Sequence, residues 1–110
     1  MESNKITIGL IETIKIKDKE IKAKIDTGSD GSSIDINLAA ELKLGPILDT
    51  KKYRSSHGNT TRPLVEAEII FKNKNFKVNF NIIDRTNLKY QILIGKNILK
   101  KGFLIDPSRE

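Results

Sequence analysis

A chain of 110 residues with one histidine and no cysteine suits a single domain over 1–110, and it holds no disulfide, no thiolate nucleophile, no cysteine zinc site and no self-contained catalytic zinc centre. No apolar run nears the roughly 20 residues that cross a membrane, and the polar start Met1-Glu2-Ser3-Asn4-Lys5 lacks the apolar stretch of a signal peptide, so a soluble, cytoplasmic protein without a membrane partner is expected. The formal charge of +6 comes from 16 Lys and 4 Arg spread along the chain, with few aromatics to stack on bases, which disfavours nucleic acid and suits an acidic substrate or partner.

Period-two alternation dominates. Ile6, Ile8 and Leu10 alternate with polar residues or glycine, Ile14 and Ile16 with Lys15 and Lys17, and Ile21, Ala23 and Ile25 with Lys22 and Lys24. This pattern predicts half-buried strands, and Lys17-Asp18-Lys19-Glu20 predicts the turn of a hairpin between two of them. Asn37 to Leu44 sets Leu38, Ala39 and Leu42 on one face, predicting a short helix capped by Asp35 or Asn37 and ended by Gly45-Pro46. Gly58-Asn59, between Tyr53–His57 and Thr60–Leu64, reads as a hairpin tip. Leu64 to Phe71 and Phe76 to Ile82 read as strands joined by the turn Lys72-Asn73-Lys74-Asn75. Gln91 to Gly95 holds the continuous apolar run Ile92-Leu93-Ile94, as in a strand buried on both faces. A single helical turn over Asn97–Lys101 and a last strand over Phe103–Asp106 follow. The fold class is all-β, mainly β with one or two short helices, closing into a small barrel.

The segment richest in chemistry is Ala23-Lys24-Ile25-Asp26-Thr27-Gly28-Ser29. A strand delivers a carboxylate into a loop, Gly28 lets the backbone turn tightly or be approached closely, and the Thr27 hydroxyl can bond locally or across an interface. Alone, Asp-Thr-Gly reads as an ordinary Asx-type turn after a strand.

Its context points elsewhere. A hydrophobic residue precedes Asp26, Ser29 follows Gly28, and Ile92-Leu93-Ile94-Gly95-Lys96-Asn97 supplies an apolar strand ending in glycine before a short helix. The pairing resembles retropepsin-like aspartic peptidases. It is most similar to a bacterial and archaeal branch labelled ATP-dependent zinc proteases and associated with RimK-type glutamate ligases. The stretches that carry the resemblance are Lys22–Gly28, Arg62-Pro63-Leu64-Val65-Glu66, Ile83–Asn87, Ile92–Asn97 and Phe103–Ser108, in family order over about residues 10–108. It implies a single-lobed acid-protease barrel in which Asp26 is catalytic and Thr27, Gly28 and Ser29 support its loop. It also implies a flap over about Tyr53 to Arg62, with His57, Gly58 and Asn59 at the tip and Arg62 toward substrate. Asp30, Gly95, Lys96 and Asn97 are implied to be structural. Lys96 stands where the family has Arg, so its pair with Asp30 is expected to lose bidentate geometry. Ser29-Asp30-Gly31 stands where the branch more often has Ala-Arg-Thr. Arg62 and Arg85 match recurrent family positions, suited to an acidic substrate or to structural pairing.

The label of that branch finds no counterpart in the residues. There is no Gly-x-x-x-x-Gly-Lys-Ser/Thr loop and no His-Glu-x-x-His, so no ATP, metal or other cofactor is expected, and His57 reads as an exposed loop residue. Aspartic peptidase chemistry needs two carboxylates about 3 Å apart sharing a proton, and the chain has one Asp-Thr-Gly. The resemblance therefore implies a homodimer, with Asp26 and its mate on the two-fold axis activating water for peptide-bond hydrolysis. Thr27 would bond across that axis and Ser29 would donate to the carboxylate. The family's link to glutamate ligation suggests a peptide or protein substrate with acidic or glutamate-rich tails. The alternative is a non-catalytic retropepsin-like module for dimerisation or peptide binding, which would not need Asp26.

Overall fold

The structure, a computed structural model, describes residues 4–55 and 58–110. Chain order gives β1 (Ile6–Ile8), β2 (Ile11–Ile16), β3 (Lys19–Ile25), β4 (Ser32–Asp35), α1 (Ile36–Glu41), β5 (Asp49–Ser55), β6 (Gly58–Phe71), β7 (Lys74–Ile83), β8 (Ile92–Ile94), α2 (Lys96–Leu99) and β9 (Phe103–Ile105). Strands pair in the order β2-β3-β8-β4-β7-β6-β5, and an added contact at Lys15 and Ile70 joins β2 to β6. That contact closes six strands into a barrel and leaves β5 outside it. β1 and β9 form a separate parallel pair.

Both hairpin turns are tighter than the four residues the polar runs suggest. Lys17 and Asp18 take φ of 48° and 68°, and Lys72 and Asn73 take 52° and 64°. Two consecutive left-handed residues twist with the flanking strands, so β3 and β7 begin two residues earlier, at Lys19 and Lys74. The alternation in β3 then places Ile21, Ala23 and Ile25 inside and Lys22 and Lys24 outside. These residues meet Ile14, Ile16, Val65, Ile69, Phe71, Phe80, Ile92 and Ile94 in one core. Phe103 stacks on Phe71 with ring centroids 4.8 Å apart, which ties the β1–β9 pair to the barrel.

β6 has two halves. Leu64 to Phe71 pairs with β7 and alternates buried and exposed, whereas Gly58 to Leu64 pairs with β5 and is exposed or half-buried. The outer half thus projects as a hairpin. Gly58 and Asn59, expected at its tip, are instead strand residues paired with Ser55 and Arg54, because the returning strand extends further than its polar sequence suggests. His57, assigned to the same tip, lies outside the described residues.

The first helix spans Ile36–Glu41 rather than Asn37–Leu44. Of the two candidate caps Asp35 serves, its carboxylate accepting from the N–H groups of Asn37 and Leu38. The helix closes before Gly45-Pro46 because Lys43 turns left-handed at φ 55°. Leu44 N–H then donates to Ala39 and Lys43 N–H to Ala40, both at 3.0 Å, the bonding of a Schellman end. The second helix starts one residue earlier than expected, on Gly95 as cap. β4 was not anticipated: Ser32-Ser33-Ile34-Asp35 is largely polar yet fully buried, lying parallel to β7 and antiparallel to β8. Among the described residues no helix is long and apolar enough to cross a membrane.

Phe71 is fully buried and stacked, so Phe71→Ala should lower the unfolding free energy by about 3–5 kcal/mol in urea titration; an unchanged midpoint would contradict this packing.

Candidate active site

Asp26 is the first residue beyond β3, and its backbone is pinned on both sides. Ile25 N–H donates to the Leu10 carbonyl and Asp26 N–H to the Ile94 carbonyl, each at 2.9 Å. The half-buried carboxylate is held in turn, since Gly28 N–H donates to Asp26 Oδ1 at 2.9 Å. A Cβ on Gly28 would sit 3.2 Å from that same oxygen. Glycine here leaves the carboxylate uncrowded. Among the described residues Oδ2 has no hydrogen-bond partner, and Thr27 and Gly28 beside it are exposed. The expected donor, Ser29, points elsewhere: its Oγ donates to the Gly31 carbonyl at 2.8 Å, tightening the loop instead of touching the carboxylate.

The loop rests on the β8–α2 junction. A Cβ on Gly95 would lie 2.0 Å from the Gly31 carbonyl oxygen and 2.7 Å from that of Ser29. No side chain fits, and the two backbones meet directly. The first N–H groups of α2, which have no partner within the helix, find theirs in the loop: Lys96 donates to Ser29 O at 2.8 Å and Asn97 to Asp30 O at 2.9 Å. Ser32 completes the joint, its Oγ accepting from Gly95 N–H at 2.9 Å and donating to Asn97 Oδ1 at 2.7 Å. Gly95 and Asn97 thus join the Asp26 loop to α2. Lys96 reaches Asp30 through one contact of 3.0 Å. Its ammonium holds the Asp30 carboxyl below the usual aspartate range. That pairing therefore acts above the ordinary carboxyl range and fades as pH falls through the lowered value, and full exposure keeps it weak.

A second group of polar side chains faces this loop from β4, β7 and the hairpin. Asn81 is the centre. Its Oδ1 accepts from Ser33 Oγ at 2.9 Å and from Arg62 Nη1 at 3.1 Å, and its Nδ2 donates to Ser32 O at 2.8 Å. The Arg62 guanidinium lies 4.4 Å from the centre of the Tyr53 ring. Tyr53 in turn faces the loop, since a Cβ on Gly31 would be 3.5 Å from its hydroxyl. Between them is a cavity of about 200 Å³, lined by Asp30, Gly31, Ser32, Tyr53, Asn81 and Asn97 among others. A larger groove of about 500 Å³, along Lys15, Lys17, Leu44, Glu66 and Ile70, includes no residue of the Asp26 loop.

Ser32, Ser33 and Asn81 are the site residues that sequence reasoning missed, and Tyr53 entered it only as the start of the expected flap. Ser32 and Ser33 are adjacent, and Asn81 lies on the outward phase of its strand's alternation, so spacing in the sequence does not mark them. Among the described residues no three His, Cys, Asp or Glu side chains gather as a metal-holding group.

A family model described as RimB-like, retropepsin-like aspartic endopeptidase RimB, matches residues 37–110. The match covers more than half of the chain and begins beyond the Asp26 loop. Among solved structures, Lpg0085, a protein of unknown function from Legionella pneumophila, is similar over 96% of this chain and 95% of its own, with a TM-score of 0.69 and 20% identity. The EIAV protease in complex with the inhibitor HBY-793 is similar over 82% of this chain and 84% of its own, with a TM-score of 0.69 and 21% identity. These likenesses show that the barrel has the retroviral-protease fold, as the sequence resemblance implied. No curated protein sequence matches.

Because Gly95 meets backbone and no yielding side chain, Gly95→Ala should destabilise the fold by about 1–3 kcal/mol and shift the amide resonances of residues 26–31. Spectra and urea midpoint equal to those of the parent protein would refute the contact.

Proposed function

The chain belongs to the RimB-like family of retropepsin-like aspartic endopeptidases, and from that premise we propose that two copies join their Asp26 carboxylates into one dyad that hydrolyses peptide bonds. The observation that carries this reading is the setting of Asp26. One oxygen is oriented by Gly28 N–H, the other has no hydrogen-bond partner among the described residues, and the loop beside it is exposed while its base is locked to Gly95. A rigidly held, open carboxylate is what a symmetric partner can meet across a two-fold axis.

In the proposed dyad one carboxylate is ionised and takes a proton from the attacking water. Its mate is protonated and donates a hydrogen bond to the scissile carbonyl, polarising it. The dyad then returns a proton to the departing amine, which closes the cycle without a net change in either acid. The β5–β6 hairpin would close over an extended peptide and exclude water, with Tyr53 meeting the loop at Gly31. Thr27, exposed at the loop, would bond to the mate. The charge of +6 favours acidic stretches as substrate.

Asp26→Asn should reduce cleavage of a defined peptide library, read by mass spectrometry, by about 10²–10⁴-fold while sedimentation still reports a dimer. Cleavage at the parent rate, or a parent protein that cleaves as a strict monomer, would overturn the proposal.

A further inference from the structure

The barrel is left open along one seam. β6 pairs with β5 as far as Leu64 and meets β2 only at Ile70, opposite Lys15. The Leu64 carbonyl accepts from Leu48 N–H at 2.8 Å on the β5 side. Alternate residues of a strand send their main-chain groups to the same edge, so Glu66, Glu68 and Ile70 also turn theirs away from β7. Ile70 finds β2, whereas Glu66 and Glu68 fall between the two partners. Among the described residues no strand pairs with them on that edge, and no loop or side chain bonds to their main chain. The gap is the groove of about 500 Å³, floored by residues 66–70 and walled by residues 15–18 on one side and by Leu44 and Gly45 on another. From Leu64 to Ile70 this edge measures about 20 Å.

An unpaired strand edge is a template for another strand, and the side chains along it decide which one. Glu66 and Glu68 are exposed at alternate positions, on either side of buried Ala67. Neither carboxylate joins an ion pair, since those among the described residues link Lys19 to Glu41, Lys72 to Glu12 and Lys96 to Asp30. On the β7 side Glu66 faces only Asn79, and Glu68 faces Lys77. In a chain of charge +6 the two glutamates form a local acidic pair at strand spacing. Opposite charges directly across two strands attract and like charges repel, so the pair rejects an acidic strand and selects a basic one. Between the two basic positions the incoming strand turns one side chain inward, toward Leu44, which is packed against the core. The described strand that touches this edge at Ile70 carries the same pattern, Lys15-Ile16-Lys17 at the end of β2. β2 leaves the edge after Lys15, and its turn is tied to the end of α1 instead: Lys17 Nζ donates to the Lys43 carbonyl at 3.2 Å, and Lys19 pairs with Glu41.

We propose that the edge of β6 at Glu66 and Glu68 is a docking site for a short extended segment of a partner protein, with basic side chains opposite the two glutamates and an apolar one between them. The segment adds a strand to the sheet through main-chain hydrogen bonds, and the glutamates set its charge pattern. The site lies apart from Asp26, since the groove includes no residue of that loop, and it stands whether or not the chain cleaves peptides.

The test is fluorescence anisotropy with hexapeptides blocked at both ends and bearing a neutral dye. Thr-Lys-Val-Lys-Val-Thr should bind about tenfold more tightly than Thr-Glu-Val-Glu-Val-Thr, and its binding should slow amide hydrogen exchange at Glu66 and Glu68. Glu66→Lys combined with Glu68→Lys should reverse the preference, and Asp26→Asn should leave it unchanged. Only one edge of the bound strand faces β6, so N-methylation of one alternate set of peptide amides should abolish binding while methylation of the other set preserves it. Equal affinity for the two peptides, binding unaffected by both methylation patterns, or a preference lost in the Asp26→Asn protein would overturn the inference. So would protection of Glu66 and Glu68 that rises with protein concentration in the absence of peptide, because it would assign the edge to a second copy of the chain.

Discussion

Gly95 lies with its Cα hydrogen side against the carbonyls of Ser29 and Gly31, and the rest of the site is arranged around that contact. A methyl group there would stand 2.0 Å from a backbone oxygen. Only with glycine can α2 bring its first N–H groups to the carbonyls of Ser29 and Asp30. Those bonds satisfy a helix end and a loop at once, so neither needs water, and the loop has little freedom left. Asp26 inherits that rigidity. Its backbone is bound to Ile94 at the end of the strand that leads into Gly95, and its carboxylate to Gly28 within the same loop. The loop that carries the carboxylate is thereby held largely by main-chain bonds, with Ser32 as the side chain that completes the joint.

The remaining polar groups follow from the need to satisfy what the barrel buries. β4 carries two serines and an aspartate into the interior. Each is matched: Ser32 bridges Gly95 and Asn97, Ser33 holds Asn81, and Asp35 caps α1 and receives Arg85. Buried polar networks are costly when incomplete and specifying when complete. Here the network links the hairpin, through Arg62 and Asn81, to the joint beneath Asp26. The apolar core of isoleucine, leucine, valine and phenylalanine supplies the burial, while this polar chain sets the register of the elements that meet at the site.

Much of this was readable in the residues, for reasons that differ by element. Alternation exposed β2, β3, β6 and β7 because each has one face in the core and one in water. The continuous run at β8 was readable because Ile92 and Ile94 are buried on one face and Leu93 is half-buried on the other. Asp26, Gly95 and Asn97 stand out in the sequence only through their family setting, since no alternation or turn pattern marks them. β4 was invisible because its burial is achieved with hydrogen bonds rather than hydrophobicity. The early end of α1 was missed because lysine, not glycine, takes the left-handed position. Gly58-Asn59 looked like a turn because glycine and asparagine often are one, yet pairing with Ser55 and Arg54 keeps both in the strand. Ser29 was assigned to the carboxylate through the family resemblance, whereas its hydroxyl donates to the Gly31 carbonyl.

The central claim is that one active centre needs an Asp26 from each of two copies. It is tested most directly by mixing parent protein with Asp26→Asn protein, allowing subunits to exchange, and measuring peptide cleavage at constant total concentration. If both carboxylates are required, mixed dimers are inert and activity falls as the square of the parent fraction. Activity falling in simple proportion to the parent fraction would mean that each chain works alone, and would contradict the account.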